Sequence, residues 1–533
     1  METDAQPDST TLTDLFKAAV AGSVEADVFV AACEHARGVA LLGTVDSLLQ
    51  WDEQTMLPQA AGEFRAEQVA ALAAIVHARR TAAPQGERLQ QLVESNLVNT
   101  GAPAVQATIR RLHDDFVKQS RVPGRLVEAL ARTGIEAQQA WSQARAAADW
   151  KQMAPHLERM FALKRELAAC QRPDLEPYDA LLDDYEPGAD WRAVQQRFTR
   201  LRAAIVPLVQ ACVESATRPT DGILRGPFPL SAQQTFVEQT AAAIGFDFQR
   251  GRLDTTAHPF CSTLGPHDCR LTTRWDEHFL PTALYSVLHE AGHGLYEQGL
   301  PPGWFGLPPG EAASLGIHES QSRLWENLVG RSPQFWEWCF PAARSAFPAA
   351  LAEATPADVA AAVLTVQPSC IRVEADEVTY NLHVMLRFDL ERAVITGDLP
   401  VADLPGAWDE RFEADFGQRP PSAAEGVLQD IHWPAGLIGY FPTYTLGNLF
   451  SAQLMAAAER ALGNLDEQIA RGEFQPLLNW LHREVHALGR TRTSDEIVAE
   501  VSGEPVSERF LVESLYRRYG PVHGLPAEPP AAC

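Results

Sequence analysis

At 533 residues, 46% of them hydrophobic, the chain has apolar material for a sizeable core and does not read as intrinsically disordered. Its net charge of −25, from 44 basic and 69 acidic residues, argues against non-specific binding to nucleic acid or to an anionic membrane surface. The eight cysteines are scattered without a C-x-x-C pair, which fits buried free thiols in a reducing compartment better than a disulfide framework.

Met1–Thr13 is acidic and polar, and no window approaches 18 continuous apolar residues, so the expectation is a soluble cytoplasmic protein without a leader or membrane span. Residues 1–36 read as a partly disordered N-terminal extension, 37–525 as a single large domain, and 526–533 as a disordered tail. Helical spacing of apolar residues predicts helices over Glu63–Arg79, Arg125–Ala148, Trp191–Ser215 and Ser231–Ile244. Phe246–Trp275 breaks that pattern with Thr, Phe, Pro and Gly in short alternating runs, and predicts two or three short strands whose edge could hold an extended peptide. Pro281–Gly299 returns to helix, with Pro281 in the first turn, Gly299 at the end, and Leu284, Val287, Leu288, Ala291 and Leu295 at helical spacing. Further helices are expected over His318–Asn327, Ala357–Leu364, Cys370–Thr396 and Leu449–Arg471, punctuated by Pro301–Gly310 and Pro400–Gly406.

The predicted helix Pro281–Gly299 contains His289-Glu290-Ala291-Gly292-His293, an H-E-x-x-H. Residues four apart on a helix share a face, so two imidazoles can converge on one Zn²⁺ while the intervening glutamate takes a proton from the attacking water. The bland alternative is a pair of partly buried histidines on a core helix. Gly292 and Gly294 weaken the helix, and small residues there would let a substrate or a neighbouring helix come close. A catalytic zinc takes three protein ligands and keeps one position open. No histidine follows closely behind His293, and the next is His318. Glu319, 26 residues beyond His293, is chosen over His318 as the third ligand, because two histidines and a carboxylate are a frequent peptidase set.

These residues sit within a longer series of motifs. His258-Pro259-Phe260, Asp268-Cys269-Arg270-Leu271-Thr272, the His289–His293 run and His318-Glu319-Ser320-Gln321 occur in order. Ile371-Arg372-Val373-Glu374-Ala375-Asp376 and Gly426-Val427-Leu428-Gln429-Asp430-Ile431-His432-Trp433 follow them. With flanking text at Trp51–Pro58, Tyr178–Gly188 and Arg323–Cys339, the chain from about Val39 to Leu525 resembles the thermostable carboxypeptidase Taq family of zinc metallocarboxypeptidases. The resemblance implies an all-α metallopeptidase fold with a deep groove, a small three-stranded sheet at its wall and a homodimer. It implies release of single C-terminal residues from peptides, with broad preference and poor action after proline. It also implies His289, His293 and Glu319 as metal ligands and Glu290 as general base.

Further assignments follow from the chemistry that such an enzyme needs. The oxyanion requires a donor besides the metal, and Tyr440, Tyr444 and His432 are the candidates. A terminal carboxylate suits an arginine fork, for which Arg372 is the first choice and Arg270 the second. The only lysines are Lys17, Lys118, Lys151 and Lys164, so any fixed cation in the C-terminal two-thirds is an arginine. Arg372, Asp376 and Tyr380 would form one stripe on the predicted Cys370–Thr396 helix, which by itself reads as a solvated face with an i,i+4 ion pair; the family motif reverses that reading and implies Asp268 and Asp376 orienting arginines or a ligand histidine. Several zinc peptidases place an acid four residues after the ligand glutamate to steady a histidine; here that position is Arg323, so the partner must come from elsewhere. The metal is Zn²⁺, with Co²⁺ also suited to such ligands. The alternatives are an oligopeptidase or peptidyl-dipeptidase using the same site and, more remotely, a non-catalytic peptide-binding protein with a structural metal.

Overall fold

A computed structural model describes residues 12–530. Helices form where the apolar spacing requires them: Gly62–Arg80, Gly124–Ala147, Trp191–Glu214, Leu230–Ile244 and Pro356–Val363 match the expected spans closely, and Pro281–Gly299 matches residue for residue. The expected Cys370–Thr396 helix starts only at Glu377. Asp376 caps it, its Oδ1 accepting the N–H groups of Val378 and Thr379, so the residues before it run as a loop with one 3₁₀ turn, Arg372–Glu374. Asp376 therefore orients a helix rather than an arginine. The expected Leu449–Arg471 helix is two, Pro442–Leu462 and Leu465–Ala470, broken where Gly463 takes φ +83°, a region open to glycine.

The expected strands are β1 (Gly251–Thr255), β2 (Cys261–Thr263) and β3 (Cys269–Thr273), in spatial order β1-β3-β2. β1 runs parallel to β3 with Gly251 opposite Cys269, and β2 runs antiparallel with Cys261 opposite Leu271. The Pro281–Gly299 helix lies between this sheet and the Leu315–Arg323 helix, and its two weak positions explain how. A Cβ on Gly294 would lie 2.6 Å from the Phe246 ring and 3.1 Å from Leu271, while one on Gly292 would lie 2.6 Å from the Gln321 carbonyl oxygen and the Ser322 Cα. Each glycine weakens the helix by about 1 kcal/mol and lets a neighbour approach within backbone contact.

The N-terminal boundary expected at residue 36 falls inside one continuous helix, Ala26–Thr55. Phe16, Phe29 and Cys33 pack with Leu92, Ile109 and Leu307 in a core of their own, so the described part of the expected extension is folded. Expectations for Met1–Thr11 and Ala531–Cys533 lie outside the described residues. The Ala26–Thr55 helix is long and apolar enough to cross a membrane by length and composition, yet it is joined to the sheet by polar contacts. The guanidinium groups of Arg252 and Arg270 lie 5.1 and 4.3 Å from the Trp51 ring, and the Thr256 hydroxyl donates to the Gln54 carbonyl.

A groove of about 1280 Å³ opens beside the HEXXH helix, lined among others by Thr282 and Ser286 of that helix and by Arg372, Asp430 and His432.

Candidate active site

His289 and His293, one turn apart, present their Nε2 atoms to the same carboxylate oxygen: Oε2 of Glu319 lies 3.7 Å from the first and 3.4 Å from the second. Donor atoms of these three residues lie within 4.8 Å of one another, the one such cluster among the described residues. Glu319 reaches this point because Gly447 of the Pro442–Leu462 helix leaves room for its stem. Its Oε1 accepts from Arg323 Nε at 2.7 Å and its Oε2 from the Ser322 hydroxyl at 3.1 Å. Burial favours the neutral acid, but Arg323 and the two imidazoles prevail and hold Glu319 well below the usual carboxylate range.

The donor set fits a divalent metal. Two imidazole nitrogens and a carboxylate oxygen converge, and both histidines use Nδ1 for an outer partner. Nδ1 of His289 lies 2.8 Å from Oε2 of Glu326. Glu326 is the acid that position 323 lacks. It stands seven residues after Glu319, inside a widened π turn, Leu324–Val329, of the kind that recurs at functional sites. Arg323 and Arg331 each donate to it at 3.2 Å. Nδ1 of His293 lies 2.5 Å from Nδ1 of His318, whose Nε2 is 2.8 Å from Oε1 of Glu297. Burial and neighbouring His318 depress the His293 pKa to about 3, keeping that ring neutral. Burial also pushes Glu290 up to about 7, with Glu319 and Glu326 adding to the rise and His289 opposing it. A carboxyl poised there can both accept and return a proton near neutral pH.

Of the other sequence-chosen residues, His432, Tyr440 and Tyr444 come together. His432 Nε2 lies 3.2 Å from the Tyr444 hydroxyl, and the two tyrosine rings are 5.3 Å apart. Burial raises both tyrosine pKa values and lowers that of His432 to about 4, so the hydroxyls stay protonated and the imidazole neutral. Arg372 is buried on the groove floor. Its Nε and Nη2 donate to Asp430 Oδ1 at 3.0 and 2.9 Å, and its Nη1 donates to the Tyr380 hydroxyl at 2.9 Å. Asp430 also accepts from Nε of fully buried Arg387 at 2.6 Å. One carboxylate thus serves two guanidinium groups. Arg270 stands apart from this cluster on β3, bidentate to Asp268 and stacked on Trp51, so Asp268 does orient an arginine.

Glu326, His318, Glu297, Asp430 and Arg387 were not among the functional choices. A signal existed for Glu297, which follows His293 by one helical turn, and for Asp430, which stands two residues before His432 in a quoted motif. Sequence offered none for Glu326, because a regular helix does not foretell a π turn.

The profile of the carboxypeptidase Taq (M32) metallopeptidases matches residues 31–519. Thermostable carboxypeptidase 1 of Thermus thermophilus is 43% identical over 500 residues, 92% of this chain and 98% of that protein. Carboxypeptidase 1 of Bacillus subtilis is 34% identical over 475 residues, 89% of this chain and 94% of that one. The crystal structure of an M32 carboxypeptidase from Deinococcus radiodurans superposes with a TM-score of 0.90 at 40% identity, covering 94% of this chain and all of that one. The chain belongs to the carboxypeptidase Taq family and is a metal-dependent carboxypeptidase, a hydrolase of peptide bonds.

Proposed function

We propose that this enzyme holds a zinc ion between His289, His293 and Glu319 and removes single amino acids from the free C-terminus of peptides. The observation that carries the reading is the pairing of this three-donor cluster with a buried general base one residue from its first ligand. When bound, the ion supplies Lewis acidity, polarising a carbonyl and acidifying a water. Glu290 accepts the proton of the attacking water and returns it to the leaving amine, which its raised pKa permits. Tyr440, Tyr444 and His432 are the donors to the oxyanion; the protonated tyrosines suit that task, and the imidazole can donate through one ring nitrogen.

Recognition of the terminal carboxylate falls to Arg372. Two guanidinium groups on one carboxylate leave one uncompensated positive charge at the groove floor. Of the five N–H groups of Arg372, three are engaged within the protein, so two remain for substrate. Arg270, already neutralised by Asp268, is the second choice. Co²⁺ would serve the same ligands. The remaining proposals, drawn from the family likeness and from the free cysteines, are broad preference at the released residue, poor cleavage after proline, a homodimer, and a cytoplasmic setting.

Incubation with an N-blocked tripeptide tests the reading. Release of one free amino acid, together with resistance of the C-terminally amidated peptide, is expected. Release of a dipeptide would instead assign the site to a peptidyl-dipeptidase.

A further inference from the structure

His432 and Tyr440, two of the three groups offered to the oxyanion, stand at the two ends of a segment, 432–440, that is neither helix nor strand. Their immediate neighbours inside it, Trp433 and Gly439, donate to the same carboxylate. Nε1 of Trp433 lies 3.0 Å from Oε2 of Glu391, and the Gly439 nitrogen lies 3.2 Å from its Oε1. Glu391 is fully buried on the Glu377–Thr396 helix, and its third donor, the Tyr178 hydroxyl, comes from the Pro177–Leu182 helix.

We propose that Glu391 is a positioning residue for the reaction: by holding both ends of this segment from behind, it sets His432 and Tyr440 at the spacing that the oxyanion requires. The inference rests on the reading of those two residues as oxyanion donors. Bonds inside the segment, from the Leu437 N–H to the His432 carbonyl at 2.8 Å and from the Gly436 N–H to the Trp433 carbonyl at 2.9 Å, shape its turns without tying it to a helix. Glu391 supplies that tie. Gly439 is also pressed against the Pro177–Leu182 helix, where its φ of +87° suits glycine and a Cβ would lie 2.9 Å from the Leu181 carbonyl. The His432 ring lies 4.4 Å from that of Phe441 and 5.6 Å from that of Tyr440, so a shift at one end of the segment is passed to the other.

The grip does not depend on the charge of Glu391. An indole and a backbone N–H can only donate, whereas a hydroxyl can donate or accept. When Glu391 carries a proton on Oε1, Tyr178 is the partner that reverses its role, and each donor of the segment still finds a lone pair. Glutamine has no such freedom. Its amide offers one oxygen and one NH₂, so either Trp433 or Gly439 faces another donor and is left buried without a partner. Glu391 does not line the groove and acts through its neighbours alone.

Steady-state kinetics on a blocked dipeptide, beside hydrogen–deuterium exchange of the amides of 432–440, test the inference in the metal-loaded enzyme. Glu391→Gln should speed that exchange and lower kcat about tenfold or more, with KM within about threefold of the wild type and metal content unchanged. Trp433→Phe removes one of the two bonds and leaves Glu391 in place, so it should lower kcat in the same direction by less. Tyr178→Phe leaves both bonds and should keep kcat within about twofold. A Glu391→Gln enzyme that melts at a lower temperature yet retains the wild-type kcat would overturn the proposal, because the carboxylate would then serve the fold alone. So would a Trp433→Phe enzyme with unchanged kcat and exchange, or a Tyr178→Phe enzyme as impaired as Glu391→Gln. Unchanged kcat in both Tyr440→Phe and His432→Gln would instead remove the oxyanion reading, with exchange at 432–440 still deciding whether Glu391 holds the segment.

Discussion

The stem of Glu319 rests on the α-carbon of Gly447, so closely that a Cβ on Gly447 would lie 2.6 Å from Glu319 Cγ and 2.7 Å from its Cβ. Gly447→Ala should therefore push the carboxylate away from the two imidazoles while leaving both helices intact. Overpacking of this kind is worth about 1–3 kcal/mol, which corresponds to a loss of metal affinity of about fivefold to 150-fold. Chelator competition beside a circular-dichroism melt would check it; an unchanged dissociation constant would show that the contact does not position the ligand.

Glu290→Gln keeps the size and removes the proposed base. Turnover of a blocked dipeptide should fall by about 10²–10⁴-fold with metal content unchanged, the range for loss of a positioned proton carrier. Metal content is measured by atomic absorption on the same sample. A variant that binds metal and retains full activity would sink the mechanism.

The floor of the groove separates recognition from stability. Arg372→Met removes one of two cations from Asp430 and leaves Arg387 paired, so the fold should hold while KM for free-carboxylate peptides rises at least tenfold. Asp430→Asn instead leaves Arg387 fully buried beside Arg372 without an anion, and should destabilise by about 3–5 kcal/mol. Urea melts and steady-state kinetics on the two variants distinguish these outcomes; equal loss of stability in both would refute the division.

Glu391 predicts a pH dependence of stability. Burial pushes it up to about 7, although Tyr178, Trp433 and the Gly439 N–H all donate to it. Its folded pKa exceeds its ordinary one near 4.5, so below that value both states are protonated and no penalty arises. As pH rises from 4.5 to about 7 the unfolded chain ionises first and stability falls; above that the loss is complete. Glu391→Gln lacks this term. Its melting temperature relative to the wild type should be higher at pH 8 than at pH 5, and parallel curves would show that Glu391 does not titrate in this way.

The sequence was most informative where structure is regular. The HEXXH helix was legible to its terminal residues because Pro281, Gly299 and the apolar stripe agree, and the strands before it showed in their alternation. Gly292 and Gly294 read locally as defects, and only the approach of the Gln321–Ser322 backbone on one side and Phe246 on the other shows their purpose. The Arg372 segment was misread as helix because its apolar spacing continues that of the true helix, and the Asp376 cap that ends the likeness is one residue. The roles of Glu326 and of His318, which was weighed only as a rival third ligand, were beyond reach for a different reason. Their partners lie 37 and 25 residues away in the chain, and neither spacing marks a contact.

The proposed metal ligands and the groove floor are built from different materials. His289, His293 and Glu319 stand on helices pressed together at glycines, where a single methyl group meets backbone or the Glu319 stem. Arg372, Asp430 and His432 stand on irregular segments between helices, joined mainly through side chains. Sequence change can therefore accumulate around the second set, in the segments that carry it, while the first stays rigid. Variants with new preferences for the released residue should be obtainable by diversifying residues 365–375 and 424–437 with Arg372, Asp430 and His432 kept, leaving the His289–Glu319 cluster untouched.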